Sequence, residues 1–324
     1  MPGEFKGNGM ADFLTHIILA DAVLKRIESR RIFEGVSKKR SLYHLGAQGP
    51  DPLFFYRCFP FSGKGPLKGL GHNMHTKRTG AFLLRGFEKL QNVSYDKSWM
   101  NIAIYMCGFI CHFTLDRMLH PYVSWAESQW IWGVDGTPRT VTHQQLEIAL
   151  DVIKWKEIKG RPAYKERTRK LVDIGKKWPI GVDLFLKEAL SDIYGIDVEK
   201  KEIDKMLGDF YRGHDLLYDP NGWKKAIIYW LDSFTGGGIK PPKIPYPVTC
   251  DDTIDWLNSK RRTWVNPFVE GESHQTSVDD ILVNAADTAA MHINTLFTRI
   301  FKGEGIDDLF PDLSYTTGID CEYR

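Results

Sequence analysis

The stretch Ile102 to His120, IAIYMCGFICHFTLDRMLH, constrains this chain more than any other: ten residues without a charge run straight into His112, Asp116 and His120. Successive polar groups stand four residues apart, so on a helix all three fall within an arc of about 80°. An imidazole, a carboxylate and a second imidazole on a buried face are costly to desolvate, and a bound metal ion removes that cost. Eight residues rise about 12 Å, too far for His112 and His120 to hold one ion through bonds of about 2 Å. Two neighbouring ions are the expected solution. The apolar part of the stretch is about half the length needed to span a bilayer, so it reads as a buried helix.

Helical spacing of apolar residues recurs over residues 12–29, 73–91, 97–122, 142–158, 180–194, 199–217, 222–233 and 276–301, and no convincing run alternates as a strand does. The expectation is an all-α protein, one compact multi-helix domain over residues 10–301. The Gly- and Pro-rich stretch 235–247 reads as a long connection within that body. Residues 302–324 are expected to form a partly disordered tail.

Further donors lie around the central motif. His143 and Glu147 stand four apart at the start of a helix, behind a capping box of Thr142 and Gln145, and one zinc could take both side chains. Asp51 sits between two prolines in GAQGPDP, a rigid loop able to present a carboxylate. His75 opens a helix, with His72 three residues away as its competitor, and His16 lies in the first helical segment. Taken alone, each of these is an ordinary surface or core residue; together they form a donor set of imidazoles and carboxylates suited to zinc. His44, His214, His274 and His292 have no partner at ligand spacing and are read as structural or surface residues.

The ordered series His16, Asp51, His75, His112, Asp116, His120, His143 and Glu147 resembles the ligand series of the zinc-dependent phospholipase C family, whose helical fold is shared with the S1/P1-type nucleases. The resemblance covers roughly residues 12–160. It implies one zinc on Asp51, His75, His112 and Asp116, a second on His120, His143 and Glu147, and a third that His16 and Asp116 would share. Secreted members complete the third site with the amine and carbonyl of a processed N-terminal tryptophan, absent from the start of this sequence, so two zincs are expected. Asp116 and His120 also stand closer together than in the secreted toxins. The match is therefore to the superfamily.

The activity implied is phosphodiester hydrolysis, with Asp51 both a ligand and the acceptor of the attacking water's proton. The expected substrate is a phosphodiester small molecule or a phospholipid, with transient contact at a membrane surface; Trp125, Trp130, Ile131 and Trp132 could meet such a surface, although packing is the commoner fate of such a cluster. A nuclease or nucleotide phosphodiesterase on the same metals, and a non-catalytic protein stabilised by metal, are the two alternatives. The 43 basic and 41 acidic residues give a formal charge of +2, too little for a broad field, so no stable nucleic-acid partner is expected. The five cysteines lack metal-type pairing, which favours reduced thiols, and no secretory leader is evident, so the expected setting is cytoplasmic.

Overall fold

A computed structural model describes residues 13–59, 61–92, 94–129, 131–224, 227 and 246–322. The protein is all-α: among these residues there are twelve α-helices, one of them long and central, with two pairs of two-residue strands beside them. Most of 222–233 and of the 235–247 connection, and Trp130, lie outside the described residues.

The central helix is α7 (Lys97–Ser128), 32 residues long, opened by Asp96, whose side chain accepts the Trp99 backbone N–H. It is long and apolar enough to cross a membrane by length and composition, but 89% of its most apolar window is buried inside the protein, as befits a core helix. Around it pack α1 (Phe13–Leu24), α2 (Arg30–Lys38), α3 (Arg40–Gly46), α6 (Thr79–Gln91), α8 (His143–Lys159), α10 (Val182–Tyr194) and α12 (Val278–Lys302). The capping box of Thr142 and Gln145 starts α8, as the sequence leads one to expect, and Ser277 with Asp280 forms a second one at α12.

Glycines set the approach of α3 to α7. A Cβ on Gly46 would overlap the Tyr105 carbonyl, and one on Gly108 would overlap the Tyr43 carbonyl, so the two backbones touch where side chains would hold them apart. That contact brings the loop after α3 down onto the middle of α7. The loop leads through Asp51 into α4 (Pro52–Phe55).

Two expectations are corrected. The single helix read over 73–91 breaks into α5 (Leu70–Thr76) and α6 at Lys77 and Arg78, where Arg78 takes φ of 53° and its guanidinium binds the Ile193 carbonyl. Residues 303–322, read as part of a partly disordered tail, pack against α5, α6 and α7 instead. Ile306, Phe310 and Tyr315 are all buried, and their burial supplies the driving force that a polar tail would lack.

Candidate metal centre

Four parts of the chain converge on α7. It offers His112, Asp116 and His120 on one face; α1 brings His16, the loop after α3 brings Asp51, α5 brings His75, and α8 brings His143 and Glu147. The structure thus draws all eight residues into one region.

Three groups of donors form there, the atoms of each lying within 4.8 Å of one another: His16, His112 and Asp116; Asp51, His75 and His112; and His120, His143 and Glu147. Asp116 is the hub. Its Oδ1 lies 3.1 Å from His16 Nε2, and its Oδ2 lies 3.2 Å from His112 Nε2 and 3.7 Å from His75 Nε2. His75 Nε2 is also 3.3 Å from Asp51 Oδ1. One helical turn on, Glu147 Oε1 lies 3.4 Å from His120 Nε2 and 2.8 Å from His143 Nε2. His72, the competitor of His75, is exposed, whereas His75 is buried.

Gly49 explains how the Asp51 loop comes so close. Its φ is +50°, and a Cβ there would overlap the His112 imidazole, so only glycine carries the chain past that ring.

Burial disfavours the charge on Asp116, yet the surrounding His112, His120 and His16 imidazoles hold its carboxyl well below the usual carboxylate range. Burial also lowers His112, against the pull of Asp116. For His120 and His143 burial is outweighed: Asp116 and Glu147 raise His120 to about 9, while Glu147 and Glu127 raise His143 to about 10. Glu147 falls to about 2 because the His143 and His120 charges overcome its burial. Two acids thus stand ionised among imidazoles, of which His120 and His143 would have to give up a proton to bind a metal.

The donors fit zinc. All are imidazole nitrogens and carboxylate oxygens. Beyond the close contacts among the donors themselves, neither ring nitrogen of His112 nor Oδ1 of Asp116 makes an aligned hydrogen bond among the described residues, although both residues are almost completely buried. Buried polar atoms are nearly always bonded, and an ion at the meeting point would satisfy these.

Sequence reading missed the supports of the cluster. Asp151 is fully buried and accepts the backbone N–H of Leu14 at 3.1 Å and of Thr15 at 2.6 Å, the Thr15 hydroxyl at 2.7 Å and the Tyr246 hydroxyl at 2.5 Å. It ties α8 to the start of α1, next to His16. The signal was in the sequence, since His143, Glu147 and Asp151 continue one four-residue spacing. Glu127, 3.5 Å from His143 Nδ1, gave no such signal.

The other histidines have local partners: His44 with Asp21, His214 with Thr168 and His274 with Glu272, while His292 packs edge-on to Phe310. Of the aromatic cluster, Trp125 and Ile131 are buried and Trp132 is half-buried beneath Arg262, so these three pack within the protein.

No curated protein and no solved structure matches the chain. A family model described as zinc dependent phospholipase C does match it over residues 15–198, more than half of the 324 residues, and that span holds all eight donors from His16 to Glu147. A phospholipase C-like hydrolase is what this match and the buried donor groups support, and the chain belongs to the zinc dependent phospholipase C family.

Proposed function

We propose that the protein hydrolyses phosphodiesters at a two-zinc centre, with a phospholipid head group as the preferred substrate. The observation that carries this is the sharing of residues between donor groups. His112 belongs to two groups at once, and the two oxygens of Asp116 lie within 3.9 Å of four imidazoles, those of His16, His75, His112 and His120. A lone structural site has no need of such sharing, whereas neighbouring metal sites do.

In this reading Asp51, His75, His112 and Asp116 hold one zinc, and His120, His143 and Glu147 hold the other. His16 and Asp116 offer the beginnings of a third site. Zinc held there supplies the Lewis acidity that acidifies water and neutralises charge on phosphate.

The rest falls to the chain. Asp51, His143 and Glu147 each keep 13% of their side-chain surface exposed, while His16, His112 and Asp116 keep 3% or less, so the substrate would approach from the Asp51 and His143 side. Asp51 accepts the proton of the attacking water as the water oxygen bonds to phosphorus and the bond to the leaving alkoxide breaks, the alkoxide taking its proton from solvent water. Asp151 holds α1, and with it His16, in register with α8.

The test is turnover by zinc-loaded protein on bis-p-nitrophenyl phosphate, phosphatidylcholine micelles and single-stranded DNA, beside His112→Ala. Hydrolysis of the first two, lost in the variant, is expected. Preference for DNA would move the substrate to nucleotides, and bound zinc without turnover on any ester would make the centre structural.

A further inference from the structure

We propose that residues 303–322 are an outer shell of the metal centre, in which the Tyr315 carbonyl holds the proton on His120 Nδ1 and so leaves Nε2 alone to face Glu147 and His143. This segment lies beyond the residues matched by the family model.

The contact is specific. His120 Nδ1 lies 2.8 Å from the Tyr315 carbonyl oxygen, and both residues are buried. A carbonyl has no hydrogen to give, so Nδ1 must carry one and donate it. Nε2, 3.4 Å from Glu147, is then the nitrogen available to a metal. Tyr315 also reaches the neighbouring donors. Its backbone N–H donates to the His75 carbonyl at 2.8 Å, and its ring stands 5.3 Å from that of His75 and 5.5 Å from that of His112.

Pro121, the residue after His120, prepares the seat. Proline has no N–H to give to the carbonyl four residues back, which is that of Arg117. Gly318 rests against this carbonyl: a Cβ on it would lie 2.5 Å from the Arg117 oxygen and 3.7 Å from Pro121 Cγ. The segment is closed on itself by Gly318 N–H to the Ser314 carbonyl and Ser314 N–H to the Ile319 carbonyl, each 2.8 Å. It is fastened to α6 where the Thr79 hydroxyl donates to the Leu313 carbonyl at 2.7 Å and the Ala81 N–H to Asp312 at 2.9 Å. A gap in the central helix, a glycine that fits it and a carbonyl aimed at the adjacent histidine make one device.

The consequence for zinc affinity rests on the zinc reading above; the proton on Nδ1 does not. Full-length Gly318→Ala is compared with Gly303→Ala. The two glycines have φ of 74° and 71°, but only Gly318 has a neighbour for the new methyl, so both variants carry the same backbone strain and one alone disturbs the seat. Thr79→Val, which removes a fastening bond without adding bulk, is the second probe.

The readouts are solvent exchange of the His120 Nδ1 proton by proton–nitrogen magnetic resonance, and zinc affinity by competition with a chromophoric chelator. The proposal expects a protected Nδ1 proton in the wild type and Gly303→Ala, and faster exchange in Gly318→Ala and Thr79→Val. It expects one zinc to be held roughly 10- to 100-fold more weakly in Gly318→Ala. An unprotected Nδ1 proton in the wild type, or unchanged exchange and zinc affinity in both probes, would overturn it. A wild type that takes no zinc yet keeps the protected proton, lost in Gly318→Ala, would sink the zinc reading and leave the role of Tyr315 standing.

Discussion

Gly49 and His112 are 63 positions apart in the sequence, yet the glycine lies so close to the imidazole that a Cβ would occupy the space of the ring. Its φ of +50° adds a second reason for glycine. Gly49→Ala therefore has two costs: about 1–2 kcal/mol for the left-handed backbone, and a displaced His112. Urea unfolding without metal should show the first, and a fall in bound zinc per chain the second. Full zinc content in the variant would mean that His112 is not held as a ligand.

Zinc should stabilise the fold, because its donors come from α1, α5, α7, α8 and the Asp51 loop and are assembled only in the folded chain. Free zinc at about 100 times its dissociation constant contributes about 2.7 kcal/mol, a rise of roughly 5 °C in melting temperature for a chain of this size. Calorimetry with zinc and then with chelator reads this directly. His143→Ala should lose part of the rise, and His274→Ala, whose imidazole pairs with Glu272 and joins none of the donor groups, should keep all of it.

What the sequence revealed was local. The four-residue spacings of His112, Asp116 and His120 and of His143 and Glu147 put each set on one helix face, and the structure has them there on α7 and α8. Periodicity says nothing of what a face meets. The short helices α2, α3 and α4 carry too few turns to show a period, so the Gly46 to Gly108 contact that delivers Asp51 was hidden. Tyr315 is 195 residues from His120 and contributes through its backbone, which leaves no mark in residue type.

The helices that carry the donors are tied together by Asp21. Its carboxylate accepts from His44 Nε2 at 2.8 Å and Arg40 at 2.7 Å on α3, and from Lys159 at 2.5 Å at the end of α8. Burial raises its pKa, but these partners outweigh burial and hold it well below the ordinary 3.8. A group depressed on folding adds stability above its unfolded value and loses it as pH falls toward the folded one. Asp21→Asn should thus cost on the order of 1–3 kcal/mol at pH 7, and the gap to wild type should narrow below about pH 4. A gap that stays constant with pH would assign the loss to packing.

In the proposed function Asp51 does two things, hold zinc beside His75 and take a proton from water, and substitution separates them. Asn keeps the shape and one oxygen but cannot accept the proton. Asp51→Asn should therefore retain a folded protein and much of its zinc, since His75 and His112 remain in the same group of donors. Turnover of bis-p-nitrophenyl phosphate should fall by about 100-fold or more, the usual contribution of a positioned base. Loss of zinc in proportion to loss of turnover would make Asp51 a ligand only, and near-normal turnover at full zinc would place the base elsewhere. Glu127, half-exposed, 3.5 Å from His143 Nδ1 and outside the three donor groups, is then the next residue to test.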